Sequence, residues 1–348
     1  MKKKFLHLIV VLVFFSVLTI FEECQSSNQG KPITPFDMQE LKKSLSFVRS
    51  TKPKLDTWPR LIRYPFKIYD FKTDTFNQEE RILEIKKKPE RIIPHAVGVA
   101  EILWAICPRY RLIAFNEFSA DPEFSFIAEE VRAQGKIFQS RQTELIIGYQ
   151  PDLIFTVFYS GTEFKEKLNQ AKIPYCDLGY FGTIDSIKEQ IILIGKIIGE
   201  ESNAEALVEL INKKIQELQD KLPKLEKPIR VLYYDEGGYI PGISSNFNSI
   251  CEIIKVINVG AEQGIKSWAQ IDYETLLKWD PEIIIVPESS NLKNQLMSNK
   301  ILSHSRAVKN KKIFTIPGVY LRVDSQYMLL SANLLAGIIY FSGDSGDQ

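Results

Sequence analysis

Two stretches of this chain, residues 145–154 and 275–284, lie on each other without a gap. Leu-Ile-Ile-Gly-Tyr-Gln-Pro-Asp-Leu-Ile in the first answers Thr-Leu-Leu-Lys-Trp-Asp-Pro-Glu-Ile-Ile in the second. Each reads as a helix that stops before a proline and an acid, then enters a strand. Both strands, 153–157 and 283–286, are almost continuously apolar, the pattern of strands covered on both faces. Such a run is buried only in a parallel sheet with helices on either side, and its recurrence 130 residues on implies two similar lobes.

The rest of the chain follows the same grammar. Strands are expected at 91–94, 112–115, 136–139, 152–158 and 175–178, with helices over 96–106 and 162–171 between them, and again at 230–235, 282–287 and 312–317. Before the first lobe, 66–71 and 81–85 alternate around Thr73-Asp74 as a β-hairpin. Between the lobes, 185–221 contains no proline and repeats apolar residues at helical spacing, from Ile187 and Ile191 to Ile215 and Leu218. Thr183 suits the N-cap and Pro223 lies just past the end, while Gly195 and Gly199 are the places for an interruption, near 200–203. Unbroken, the segment would be a rod of roughly 55 Å crossing between domains. The fold class is therefore α/β: two Rossmann-like lobes with parallel sheets joined by one long rigid helix. Its parts are a signal at 1–24, a tether at 25–60, lobes at 61–182 and 223–348, and the interlobe helix at 183–222.

Lys2, Lys3 and Lys4 precede an apolar run from Phe5 to Phe21 that is relieved by His7, Ser16 and Thr19, as in a secretory signal. A run of this length is also marginally able to span a bilayer, so an uncleaved anchor is the alternative. Glu22-Glu23-Cys24 and the polar stretch after it resemble a bacterial lipoprotein signal with Cys24 as the lipidated residue, although Glu23 is not the small residue such signals place before the cysteine. The expected location is the periplasmic or cell-surface side of the cytoplasmic membrane, with a lipid anchor. Residues 25–60 are polar, rich in lysine and carry Pro32, Pro35, Pro53 and Pro59, which suits a spacer with one short helix near 38–48.

Composition narrows the partners. Lys and Arg number 44 against 43 Asp and Glu, a net charge of +1, so there is no field to attract nucleic acid. Cys107, Cys176 and Cys251 are odd in number and widely spaced, which argues against a disulfide framework or a cysteine zinc site. Buried free thiols are expected, one disulfide among them being the alternative.

Lys88-Pro89-Glu90-Arg91-Ile92-Ile93, the Ala100-Glu101-Ile102-Leu103 helix, Gln150-Pro151-Asp152-Leu153-Ile154, Trp268-Ala269-Gln270-Ile271 before the Glu274 helix, and Asp280-Pro281-Glu282-Ile283-Ile284 occur in order. From about residue 66 to 340 the chain thus resembles the substrate-binding proteins of ABC importers for iron-siderophores, haem and vitamin B12. The resemblance implies a monomer of two lobes with limited closure, transport rather than catalysis, no resident cofactor, and delivery of an iron complex, haem or cobalamin to permease subunits. It also implies one acidic residue on each lobe that meets the permease. Glu123, in Asp121-Pro122-Glu123, matches the first position and Glu262, in Gly260-Ala261-Glu262, the second; ordinary solvated carboxylates are the alternative.

Ligands of open α/β sheets bind outside the carboxyl ends of the strands. The loops there hold His95, Phe115, Asn116, Arg141, Phe158, Tyr159, Tyr180 and Phe181 in the first lobe, and Tyr234, Tyr239, Trp268, Glu288, Tyr320 and Arg322 in the second. Aromatic walls with polar tips suit a macrocycle or an aryl siderophore. Arg141 either pairs with an anionic ligand or forms an ion pair with Glu144 or Asp121. His95 either ligates haem iron together with a tyrosine of the opposite lobe or hydrogen-bonds the start of its helix. A three-histidine metal site is not available, because His7 lies in the signal and His304 lies far from the cleft loops.

An enzyme of two Rossmann-like lobes would place a glycine-rich phosphate loop after its first strand, where this chain has Pro94-His95-Ala96-Val97-Gly98. A ligand sensor that reuses the fold remains as the rival reading.

Overall fold

The computed structural model describes residues 33–52, 57–70, 73 and 75–341. The signal and Cys24 lie outside the described residues. Helix α1 (Met38–Ser46) starts at Asp37, whose carboxylate accepts from the Glu40 N–H. The hairpin follows as β1 (Arg60–Asp70) and β2 (Thr75–Ile85), antiparallel throughout, each strand beginning six residues earlier than the alternation indicated.

In the first lobe, β3 (Ile92–Pro94), β4 (Phe115–Asn116), β5 (Ile137–Phe138), β6 (Leu153–Thr156) and β7 (Tyr175–Asp177) are all parallel. β3, β6 and β7 form one sheet, β4 and β5 a second, and a bridge from Ile92 to Leu112 joins the two. Helix α2 (Val97–Ile106) follows β3 and is buried almost all round.

The long helical segment is two helices, not one rod. α3 (Ile184–Ile198) begins at the Thr183 cap and ends at Gly199, which takes a left-handed φ of 73°. α4 (Glu201–Lys221) then folds back along it. The Lys188 ammonium donates to Asn212 at 3.2 Å, and a Cβ on Gly195 would collide with Ala204, so the close approach requires glycine there. At the turn, the wholly buried Arg111 donates to Glu200 at 3.1 Å and to the Pro89 and Ile198 carbonyls at 2.7 Å each. α4 alone is the long helix that joins the lobes; at 21 residues it spans about 31 Å.

The second lobe repeats the plan with β8 (Arg230–Tyr233), β10 (Ile257–Asn258), β12 (Ile283–Pro287) and β13 (Ile313–Ile316), parallel in the order β10-β8-β12-β13. β9 (Tyr239–Pro241) and β11 (Trp268–Gln270) make a separate antiparallel pair. Helix α5 (Asn246–Ile253) and the terminal α6 (Met328–Ala336) pack beneath them.

The sequence repeat has a mechanical meaning. The residue before each Pro-acid pair, Gln150 or Asp280, has a positive φ that ends the preceding turn. Each acid then latches its strand to the start of its neighbour. Asp152 accepts from the Glu90 and Arg91 N–H groups at 2.9 Å, and Glu282 accepts from the Arg230 N–H at 3.1 Å.

The stretch expected to be a spacer belongs to the body from residue 33 to residue 50. Leu41 and Leu45 of α1 are buried, and Phe36 exchanges two hydrogen bonds with the Asn333 side chain of α6 at 2.9 and 3.0 Å. Ser46 pairs with the Tyr327 hydroxyl at 2.7 Å, and Ser50 N–H donates to Asn203 of α4 at 2.9 Å. One apolar core consequently passes from Leu45 and Ile92 through Ile194 and Leu207 to Phe247, Ile285 and Leu329. Cys107, Cys176 and Cys251 are buried free thiols within it, and burial pushes Cys107 and Cys176 up to about 12.

Candidate functional site

The loops after β6 and β7 face the second lobe across a trough with a cavity of about 340 Å³. Phe158, Tyr159 and Tyr180 form one wall, their rings 4.9 and 5.3 Å apart around Phe158. Tyr233 and Trp268, 6.0 Å apart, form the other. The first wall is held from behind by the hairpin. The Tyr180 N–H donates to the Lys67 carbonyl at 2.8 Å, and Tyr69 and Phe76 pack on its ring at 5.9 and 5.4 Å. That approach depends on Gly179, at a φ of 69°, because a Cβ there would strike the Lys67 carbonyl. The Tyr180 hydroxyl donates across the trough to the Ser244 carbonyl at 3.2 Å, and burial pushes its pKa up to about 12.

The floor comes from residues 321–326, the segment between β13 and α6. Asn246 fixes it by donating to the Leu321 and Val323 carbonyls at 3.1 Å each. Arg322 and Asp324 face the trough and also an adjoining hollow of about 160 Å³, which Tyr159 shares and which Gly98 and Glu101 of α2 close. A Cβ on Gly98 would collide with the Asp324 carbonyl, so α2 meets the floor only because that residue is glycine. Glu101 accepts from Ser325 Oγ at 2.5 Å, Phe126 N–H at 2.7 Å and Ser125 Oγ at 3.3 Å; Gln326 donates to the Glu101 carbonyl at 2.9 Å. Among the described residues the Asp324 carboxylate has no hydrogen bond or ion pair. Burial pushes both acids up to about 7, against the hydrogen bonds that hold Glu101 down.

Of the residues expected around the ligand, Tyr159, Tyr180, Phe181 and Trp268 come together in this trough. Phe158 and Arg322 also line it, and the remaining expected residues lie elsewhere. His95 is packed between Phe164 and Phe138, at 4.3 and 6.0 Å, with Nδ1 3.1 Å from Ser160 Oγ, and burial lowers it to about 4. Phe115 is buried against Trp104, and Asn116 is used up in capping the Phe118 N–H and donating to Ser140. Arg141 and Glu288 are exposed, and no contact places either in the trough. Tyr234 faces a separate hollow of about 590 Å³ bounded by Gly238 and Tyr273, Tyr239 lies exposed in β9, and Tyr320 packs edge-on against Phe126 at 5.1 Å.

Tyr233, Asp235, Glu101 and Asp324 escaped the sequence reading. Tyr233 was within its reach: side chains alternate along a strand, so if Tyr234 faces one side of β8, Tyr233 faces the other. Glu123 is exposed, whereas the Glu262 carboxylate is gripped by Arg230 at 2.6 Å.

Comparison with known proteins agrees with this geometry. A model of the family described as periplasmic binding protein matches residues 131–320. The cobalamin-binding protein of Halobacterium salinarum is 19% identical over 239 residues, which cover 68% of this chain and 64% of that protein's length. In fold, the chain is similar to a possible iron-binding periplasmic solute-binding protein of Staphylococcus epidermidis, with a TM-score of 0.66, 20% identity and coverage of 73% of this chain and all of that one. It is likewise similar to the periplasmic haem-binding protein HutB of Vibrio cholerae, with a TM-score of 0.61, 20% identity and coverage of 72% and 98%. The match spans more than half of the chain and includes both trough walls, and the protein belongs to the periplasmic binding protein family.

Proposed function

We propose that this protein is the solute-binding component of an ABC importer, held outside the cytoplasmic membrane by a lipid on Cys24, and that it carries a bulky iron complex, a ferric siderophore or haem. The observation that supports this reading is the trough itself: flat rings on both walls, Arg322 and Asp324 on the floor with Asp235 beside Tyr233, and an opening between two lobes. Large aromatic area with few polar anchors suits a rigid, multi-ring ligand better than a sugar or an amino acid. The relatives whose names mention iron, haem and cobalamin point to the same class of cargo.

For haem, the phenols of Tyr159 and Tyr180 are better placed to reach iron than His95, which is walled in by phenylalanines. Delivery would use exposed carboxylates. Glu123 is free to meet an arginine pocket, while Glu262 would first have to leave Arg230. Titration of the purified protein with haemin, ferric siderophores and cobalamin, read by absorbance and melting temperature, tests the reading. A saturable spectral change with a raised melting temperature, weakened by Tyr159→Ala, is the expected result. No response to any of these ligands would remove the importer reading and favour a sensor of some other molecule.

A further inference from the structure

The floor of the trough carries a charge pattern that the aromatic walls do not explain. Asp324 lines both the main cavity and the hollow beside it, and its carboxylate has no hydrogen bond or ion pair among the described residues. Asp324 is half-buried, so this open acceptor can be reached from the trough by a ligand's donor. The groups around it do not supply one. Glu101 is a second acid whose oxygens are already engaged by Ser325, Ser125 and the Phe126 N–H. Tyr159 and Tyr180 share the cavity, but the Tyr180 hydroxyl is committed to the Ser244 carbonyl. Arg322 shares both cavities with Asp324 and makes no salt bridge to it; its guanidinium lies 5.6 Å from the ring centre of Phe124.

From this arrangement we infer that Asp324 is a specificity-determining residue which receives an N–H donor of the ligand, so that the favoured cargo is a neutral or cationic metal complex bearing an amine or amide. The inference rests on the proposed trough function and narrows its ligand class. Arg322 offsets part of the charge of the two acids, so discrimination rests on the open Asp324 acceptor, against which an anionic group would meet repulsion and find no donor. An amine or amide set on the same floor would satisfy the acceptor that Asp324 leaves open.

The test compares four probes on the full protein: ferrioxamine B, whose neutral ferric centre carries a pendant ammonium; its N-acetylated form, which keeps the amide N–H and loses the charge; a trianionic ferric tris-catecholate; and cyanocobalamin, whose rim carries amides. Binding is measured by intrinsic fluorescence quenching for the wild type and for Asp324→Asn and Asp324→Ser, with melting temperatures to show that each variant folds. The expected result is that ferrioxamine B or cyanocobalamin binds more tightly than the tris-catecholate, and that both substitutions weaken the ammonium ligand at least about tenfold, the scale of one hydrogen bond to a charged group. The acetylated ligand should lose less than ferrioxamine B does. Tightest binding by the tris-catecholate, improved by Asp324→Asn, would overturn the inference and leave the importer reading intact. Equal loss for charged and acetylated probes with Asp324→Ser but none with Asp324→Asn would also overturn it, by reducing Asp324 to a packing role. Failure of all four probes to bind would take away the trough reading itself.

Discussion

Ser325 Oγ donates to the Glu101 carboxylate at 2.5 Å, a bond between the segment that precedes the last helix and the first helix of the opposite lobe. Because Glu101 is buried and takes two further hydrogen bonds, the Ser325 hydroxyl is one of three donors compensating a carboxylate removed from water. Ser325→Ala should cost about 1–3 kcal/mol in urea unfolding. An unchanged unfolding midpoint would show that water or a side-chain shift replaces the bond.

Stability should also depend on pH in an unusual direction. Glu101 and Asp324 ordinarily titrate at 4.5 and 3.8, and burial raises both to about 7. The folded state therefore holds protons that the unfolded state has released, so their contribution is complete below about pH 4 and declines as pH rises towards 7. Each fully titrating group gives a slope of about 1.4 kcal/mol per pH unit. Urea midpoints measured from pH 5 to pH 8 should fall in the wild type and fall less steeply in Asp324→Asn. Parallel profiles for the two proteins would rule out Asp324 as a source of the slope.

Leu45 is wholly buried where α1 packs against the rest of the core. Leu45→Ala should destabilise the whole protein by about 2–5 kcal/mol, the range for deleting a buried leucine side chain. If residues 33–50 were only a spacer, the same change would be silent in thermal denaturation.

Gly98 and Gly148 make a matched pair. A Cβ on Gly98 would strike the Asp324 carbonyl, whereas Gly148 has open space around it. Gly98→Ala should cost about 1–3 kcal/mol and weaken ligand binding, because the floor must move. Gly148→Ala at a helix end should be neutral or stabilising by up to about 1 kcal/mol. Equal behaviour of the two variants would contradict the close approach of α2 to the floor.

Much of this architecture was legible because burial leaves a plain mark on sequence. Ile283 to Val286 could be nothing but a strand covered on both faces, and the Pro-acid pairs at 151–152 and 281–282 recur because each acid performs the same latching bond. The helical segment was readable as helix, and Gly199 was among the places marked for a break. Composition could not show that the second helix folds back, since that depends on the contact between Gly195 and Ala204. Within the trough, Tyr159 and Tyr180 stand in strand-end loops, Tyr180 beside Gly179, which sequence can locate, and Trp268 opens β11 in the Trp-Ala-Gln-Ile motif. Glu101 looks like any acid on a helix until its neighbours are known, and Asp324 is separated from the end of β13 by the helical turn Gly318–Leu321. Both are placed by contacts between residues more than 200 positions apart, as the Ser325 and Gln326 bonds to Glu101 show.

The core shared by the two lobes has a bearing on how cargo is chosen. Lobes joined only by a hinge could close around ligands of several sizes, with part of the binding energy consumed in ordering them. Here one continuous core lies under both walls, so closure around a ligand would have to shift packed side chains, and under the proposed function affinity would turn on desolvating the rings. Under the proposed function the trough would act as a gauge: a molecule too thick for the gap would be refused at entry, and a slightly thin one would leave an unfilled layer.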